Sequence, residues 1–499
     1  MTNLVRGLLD SARRAPSSPA VRADDELLSY GELELASRRV ATMLRERGVK
    51  PGDRIGVMLP NVSAFPVAYY GILLAGGVVV PMNPLLKERE VSYYLADSGA
   101  RVLFAWHEVA EEATAGAGTA DCAPVIVDPQ SWHALLTNTD PATEVTDRAD
   151  EDTAVILYTS GTTGKPKGAE LTHFNLRRNA EVFSRQWLEL TADDVMIGCL
   201  PLFHTFGQTV SMNCAIFTGA SLTLIPRFTA AKALDVIARD GVSIFVGVPT
   251  MYSAMLEDQR AERYDTSSLR LCCSGGAPLP VELLGAFEER FGCVIIEGYG
   301  LSETSPVCCF NPPGGQRKPG SVGLPLQGVD IRVVSDDGEG LAVDEIGEIC
   351  IRGENVMKGY LGRPDATAEV LIDGWFYTGD VGRIDEDGYL FIVDRKKALI
   401  IRGGYNVYPR EIEEVLYEHP DIVEAAVIGV PHPALGEEVG AAVVLRAGTT
   451  STAQEVRAFV KDRVAAYKYP REVWVVDELP KGPTGKILRR EVTRPEAIR

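Results

Sequence analysis

Hydroxyls, glycines and lysines crowd into one decapeptide, Thr159-Ser160-Gly161-Thr162-Thr163-Gly164-Lys165-Pro166-Lys167-Gly168, directly after the β-branched residues 154–158. Gly161, Gly164 and Gly168 free the backbone to aim several N–H groups at one anion. The hydroxyls of Thr159, Ser160, Thr162 and Thr163, with the ammonium groups of Lys165 and Lys167, can then surround phosphate oxygens. The chemistry indicated is the grip of a nucleotide triphosphate. The Walker pattern G-x-x-x-x-G-K-[ST] is absent, because Pro166 stands five residues beyond Gly161 and Gly164-Lys165 is followed by proline. No G-x-G-x-x-G lies in a strand-to-helix turn, so nicotinamide chemistry has no support.

Such a loop needs a rigid frame, and the surrounding pattern supplies one. From about residue 50 to 300, short β-branched runs (residues 54–59, 154–158, 222–225, 244–248 and 269–273) alternate with amphipathic stretches (residues 174–188, 231–239 and 281–291). That alternation predicts parallel βαβ units and an α/β fold. After about Ser321 the helices thin out, and residues 329–334, 347–352 and 389–393 read as short strands between Asp-Gly and Gly turns, a small β-barrel-like unit closing the large domain. Beyond residue 394 the order becomes helix (411–418), strand (424–429), strand (441–445), helix (453–465) and strand (472–476), a compact, mobile α+β domain. The expected division is a large domain over residues 1–394 and a lid over 395–499.

With 499 residues, 45% apolar and 24% charged, the chain can bury several cores, which excludes disorder. Its formal charge of -19 argues against a general nucleic-acid binder, while the basic clusters fall in the C-terminal part, as a lid over anionic substrates would require. The longest apolar run, residues 67–80, is shorter than the roughly 20 residues that cross a bilayer. The first residues, with Arg6, Arg13 and Arg14, lack a secretory hydrophobic core and read as a docking helix of a cytoplasmic protein. Nine cysteines show neither Cys-x-x-Cys nor a His at zinc spacing and sit in strand-like stretches as small buried hydrophobes.

Further motifs follow in fixed order: Ser274-Gly275-Gly276-Ala277-Pro278, Gly298-Tyr299-Gly300-Leu301-Ser302-Glu303-Thr304, the segment 347–353, Tyr377-Thr378-Gly379-Asp380, Asp394-Arg395, Gly403-Gly404-Tyr405-Asn406 and Pro480-Lys481-Gly482-Pro483-Thr484-Gly485-Lys486. Together with the decapeptide they resemble, from about residue 10 to 492, the AMP-forming acyl-CoA synthetase, adenylation-domain and luciferase superfamily.

The resemblance implies roles that elementary chemistry supports. Activating a carboxylate with ATP brings two anions together, so cations must converge where the acid attacks the α-phosphorus in line. By similarity Thr159 and Glu303 hold Mg²⁺, a hard ion that takes oxygen ligands, and the loop from Ser160 to Gly168 grips the β and γ phosphates. Asp380 resembles the acceptor of both ribose hydroxyls, with Arg395 adding donors nearby. Gly275, Gly276 and Ala277 look like the wall against adenine, with Tyr299 stacking on the base, and Gly298, Gly300, Ser302 and Thr304 belong to the same nucleotide-binding motif. Lys486, expected at the tip of its loop, resembles the lysine that bridges the acid and the α-phosphate. His204, in Pro201-Leu202-Phe203-His204-Thr205-Phe206-Gly207, resembles the gate of the acyl pocket.

For the second half of the reaction the resemblance implies rotation of the small domain about Lys397. Gly403 and Gly404 would then open a passage for coenzyme A, with Arg402 and Lys396 available to its phosphates. Ala398 departs from the acidic or polar residue common after that hinge. The acyl pocket is expected to be lined by His204, Gly207, residues 246–250, Gly275 and residues 299–302, which contain no Arg or Lys. A second carboxylate would lie there unpaired, so an apolar acid is favoured. The surrounding sequence most resembles fatty acyl-CoA ligases, and aryl acids share the scaffold. The expected activity is an AMP-forming acid–thiol ligase using ATP, Mg²⁺ and coenzyme A on a medium- or long-chain fatty acid. An aryl-acid ligase and an enzyme loading a carrier protein are the alternatives. A homodimer is compatible with these motifs.

Overall fold

The computed structural model describes residues 3–159, 165–396, 398–403, 405–433 and 435–495. The predicted α/β pattern folds into two large sheets. One has seven strands. Its centre is parallel, with Arg54–Met58 between Val78–Pro81 and Ala100–Trp106, and Thr153–Thr159 beyond Val78–Pro81. Lys167–Thr172 folds back antiparallel on Thr153–Thr159, and Gly359–Tyr360 pairs antiparallel with Lys167–Thr172. The chain therefore returns antiparallel at Lys167, not through a helix as in a parallel βαβ unit.

The second sheet has nine strands, with Ser221–Leu224, Val195–Gly198, Ile244–Gly247, Leu271–Ser274 and Val294–Gly300 running parallel. These strands are buried on both faces, consistent with their near-continuous apolar runs. Their helices obey local rules. Thr229 caps Ala230–Asp240, which Gly241 ends in the left-handed conformation, and Gly292 ends Val281–Phe291 likewise. The apolar run at 67–80 divides between the buried helix Ala64–Leu74 and the strand Val78–Pro81. Among the described residues no helix is long and apolar enough to cross a membrane. The basic N-terminal stretch forms the helix Arg6–Arg14, anchored by a 2.7 Å bond from Ser11 Oγ to the Ile216 carbonyl.

The third sheet is antiparallel and built from Val329–Val334, Gly347–Gly353, Trp375–Ile384, Leu371–Ile372 and Leu390–Arg395. The C-terminal part carries its own sheet, the long hairpin Ile422–His432 with Gly436–Leu445, flanked by Ile400–Arg402, Tyr405–Val407 and Glu472–Val475. Helices Pro409–Tyr417 and Ala453–Lys461 cover a separate core of Ile412, Leu416, Val427, Val439 and Val456. The nine cysteines are buried, with free thiols.

Candidate active site

Thr159 and Tyr360 of the seven-stranded sheet and Glu303, just beyond Val294–Gly300 of the nine-stranded sheet, come together and mark a candidate crevice at the carboxyl ends of strands, where open α/β sheets hold ligands. Thr159 ends its strand opposite Lys167. Glu303, in the short helical turn Ser302–Thr304, is buried, and the Thr159 hydroxyl hydrogen-bonds its carboxylate. Burial raises the Glu303 pKa, partly offset by hydrogen bonds from its own backbone, Tyr360 and Thr159 and by the Arg395 charge. A buried carboxylate beside a hydroxyl is an all-oxygen donor pair suited to Mg²⁺, whose remaining positions are commonly filled by phosphate and water.

Tyr360, which the motif reading missed, links two of these groups. Its hydroxyl donates to Glu303 Oε1 at 3.0 Å, and Lys167 Nζ lies 5.1 Å from the centre of its ring. Lys165 Nζ sits 5.5 Å from the Tyr93 ring, whose hydroxyl donates to the Pro166 carbonyl at 2.8 Å. Aromatic rings thus flank both lysines of the loop. Ser160, Gly161, Thr162, Thr163 and Gly164 lie outside the described residues, as do Lys397 and Gly404. Gly168 is packed against Ile156 and Tyr158.

At the other end of the crevice, Asp380 is buried on the strand Trp375–Ile384. It accepts from the Tyr299 hydroxyl at 2.5 Å and pairs with Arg395 Nε at 3.0 Å. Tyr299 is thus brought to the proposed ribose acceptor. Lys486 reaches the same place from the C-terminal part. Its loop closes through Gly485 N–H to the Gly482 carbonyl at 2.9 Å and Gly482 N–H to the Lys486 carbonyl at 2.8 Å. Pro483 and Thr484 form the tip and Lys486 stands on the returning arm, which corrects the expected tip position. Thr250 Oγ1 donates to the Gly485 carbonyl at 2.9 Å, docking this loop on the large domain. Desolvation lowers the Lys486 pKa to about 8, with Arg395 adding to the effect and Asp380 opposing it. Burial, and then the Lys486 charge, lower the His204 pKa to about 4, so His204 is neutral near pH 7 and electrostatically close to the lysine.

The glycine motifs divide by what approaches them. Gly276 has φ +78° and is exposed beside the half-buried Ala277, as a wall against a flat base requires. A Cβ on the buried Gly275 would lie 3.1 Å from the Phe206 ring, so Phe206, absent from the expected lining, packs against this wall. A Cβ on Gly298 would stand 2.0 Å from the Phe310 ring, one on Gly300 2.0 Å from the Pro306 carbonyl oxygen, and one on Gly207 2.5 Å from the Pro201 carbonyl oxygen. These three clear space for neighbouring protein rather than for ligand. Ser302 faces Thr205, with 3.5 Å between hydroxyls. Thr304 is fully buried; its hydroxyl donates toward the Pro306 carbonyl at 2.7 Å and accepts from Leu301 N–H at 2.9 Å, which makes it a strut of the turn.

The basic residues assigned to coenzyme A phosphates are engaged elsewhere in this arrangement. Arg402 forms a two-pronged pair with Glu438, at 2.5 and 2.9 Å, and Lys396 Nζ meets Asp336 at 2.8 Å and Glu348 at 3.2 Å. A carboxylate already neutralises each cation. Gly403, exposed with φ +58°, donates its N–H to the Leu435 carbonyl at 2.8 Å.

The family described as AMP-binding enzyme matches residues 8–361, and the AMP-binding enzyme C-terminal domain matches residues 411–486. The chain is 38% identical to a long-chain-fatty-acid–CoA ligase of Bacillus subtilis (strain 168), over 98% of this chain and 94% of that protein. It is 40% identical to a feruloyl-CoA synthase of an Amycolatopsis species, over 97% of each. The crystal structure of ATP-bound MatB from Rhodopseudomonas palustris superposes with a TM-score of 0.92 at 36% identity, covering 98% of this chain and 97% of that one.

Proposed function

The chain belongs to the AMP-binding enzyme family as an AMP-forming acid–thiol ligase that uses ATP and coenzyme A, and from that premise we propose that its acid is an apolar monocarboxylate, a medium- or long-chain fatty acid. The observation that carries the site reading is the docking of the Lys486 loop on the large domain through Thr250 and Gly485, where the charges of the Asp380–Arg395 pair act on the lysine.

In the first half-reaction an acid oxygen attacks the α-phosphorus, the bond to pyrophosphate breaks, and acyl-AMP forms. Lys165 and Lys167 hold the outgoing phosphates, flanked by Tyr93 and Tyr360. Asp380 accepts the ribose hydroxyls, and Arg395 donates beside it. Lys486 bridges the carboxylate and the α-phosphate, neutralising charge where the two anions converge. Glu303 and Thr159 would hold Mg²⁺, which when bound offsets phosphate charge. His204, neutral, borders the acid without adding a charge that would compete with Lys486. In the second half-reaction the coenzyme A thiolate attacks the acyl carbonyl and AMP leaves. We assign the C-terminal part as a lid that turns near residue 397 between the two halves.

The apolar acid is supported by the residues expected to line its pocket, since His204, Gly207, residues 246–250, Gly275 and residues 299–302 include no Arg or Lys for a second carboxylate. A second reading, an aryl acid, is favoured by the 40% identity to the feruloyl-CoA synthase. The test is pyrophosphate release over fatty, aryl and dicarboxylic acids, with and without coenzyme A. Fatty acids should lead. Preference for benzoate- or cinnamate-like acids selects the second reading, preference for malonate contradicts the apolar pocket, and acyl-AMP that accumulates without coenzyme A turnover indicates a carrier-protein acceptor.

A further inference from the structure

Three residues beyond Lys486 stands Arg489, in the short turn Arg489–Glu491. Its guanidinium serves two carboxylates. Nε donates to Glu413 Oε1 at 2.8 Å, Nη2 to the other Glu413 oxygen, and Nη1 to Asp394 Oδ1 at 2.9 Å. Glu413 belongs to the helix Pro409–Tyr417, on the same side of residue 397 as Arg489. Asp394 belongs to the strand Leu390–Arg395, on the other side.

Asp394 is nearly fully buried and collects further donors. Arg395 N–H reaches Oδ1 at 2.7 Å, and Arg410 N–H, in the first turn of the helix, reaches Oδ2 at 3.0 Å. Arg410 Nη1 also donates to the Ile392 carbonyl at 2.6 Å. Two of the groups on the Asp394 carboxylate thus come from beyond residue 397, and turning the lid near that residue pulls both away. The strand that carries Asp394 also carries Arg395, which faces Asp380. The Arg489 contact therefore ties the lysine-bearing tail directly to the ribose end of the crevice.

We propose that the Asp394–Arg489 pair is a latch that holds Lys486 in its adenylating position, with Arg489 a positioning residue for the first half-reaction. This rests on the reading of Lys486 as the bridging cation. The latch is made in the adenylating arrangement and broken in the thioester-forming one, so its removal weakens only the former. The companion contact to Glu413 stays within the lid and orients the guanidinium. A lysine at 489 keeps the charge but loses the planar fork that serves both carboxylates.

The test uses the full-length enzyme, Asp394→Asn, Arg489→Lys and the double variant, with two rates measured for each. One is pyrophosphate release from ATP and acid without coenzyme A; the other is thioester formation from synthetic acyl-AMP and coenzyme A. Each single variant should slow the first rate about tenfold or more, the scale of a lost charge-assisted bond, and leave the second within about twofold. The double variant should be no more than about twofold slower than the worse single one, because both changes break one contact. Equal loss in both rates, an unchanged first rate, or multiplying losses in the double variant would overturn the latch. Wild-type enzyme that forms no acyl-AMP would instead overturn the underlying reading of Lys486.

Discussion

Replacing Lys486 with alanine removes the one ammonium group that the C-terminal loop brings to Asp380 and Arg395. A unit charge about 4 Å from an anion, at an effective dielectric near 20, is worth about 4 kcal/mol. Arg395 remains nearby and compensates in part, so acyl-AMP formation should fall about 10²- to 10³-fold, the range found when one preorganised donor to a developing charge is deleted. Thioester formation from supplied acyl-AMP should stay within about twofold of wild type. The pH profile offers a second reading of the same group. Because burial brings the lysine to about 8, kcat/KM for pyrophosphate release should decline above about pH 8, as the cation is lost from free enzyme. Bound ATP and acid are anions that favour the charged lysine, so the matching limb in kcat should lie at higher pH. The stability effect runs the other way. The folded pKa lies below the unfolded value of 10.5, so folding expels a proton between about 8 and 10.5, and the docked arrangement gains stability with rising pH across that window. Equal slowing of both half-reactions in Lys486→Ala, or a profile flat to pH 10, would refute the assignment.

Three other outcomes follow from single contacts. Tyr360→Phe deletes the 3.0 Å bond to Glu303 while keeping the ring beside Lys167, and should raise the KM for MgATP about tenfold with little change in unfolding; an unaltered KM would remove Tyr360 from the site. The buried Glu297 is pushed up to about 7 by desolvation, so it loses stabilisation as pH rises from about 4.5 through 7, by at most about 3 kcal/mol; Glu297→Gln, which keeps an acceptor for Leu279 N–H, should flatten the difference in denaturant stability between pH 5 and 8, and an unchanged difference would contradict this. In Lys486→Ala the His204 pKa, about 4 in the intact protein, should rise when followed by the NMR of its ring protons, and a stationary value would separate the two residues.

Much of this was legible in the residues, and the misses have physical causes. Residues 281–291 and 329–334 formed a helix and a strand with those same bounds, because an amphipathic stripe and an apolar alternation are local signals. The strand ends elsewhere moved by a residue or more: residues 389–393 became Leu390–Arg395, where pairing with Trp375–Ile384 extends the ladder to Arg395. The antiparallel return of Lys167–Thr172 on Thr153–Thr159 was not foreseen, since parallel units dominate the surrounding pattern. Glycine motifs announce that a Cβ is forbidden but not what comes close: Gly298 and Gly300, assigned to the nucleotide-binding motif, have Phe310 and Pro306 in the space a Cβ would take. Tyr360 and Arg489 escaped, and Thr250 was read as pocket lining when it docks Gly485, because their partners, Glu303, Asp394 and Gly485, lie 57 to 235 residues away in the chain and no short motif encodes such pairings. Arg402 and Lys396 are basic in sequence yet neutralised in the fold by Glu438, Asp336 and Glu348.

In the proposed adenylation an acid oxygen attacks the α-phosphorus of ATP beside Lys486. Carboxylate-¹⁸O fatty acid should be turned over with ATP and coenzyme A, and the phosphorus products examined by ³¹P NMR. AMP should bear a single ¹⁸O and form in step with pyrophosphate and thioester. Unlabelled AMP, or ADP and inorganic phosphate in its place, would contradict this adenylation.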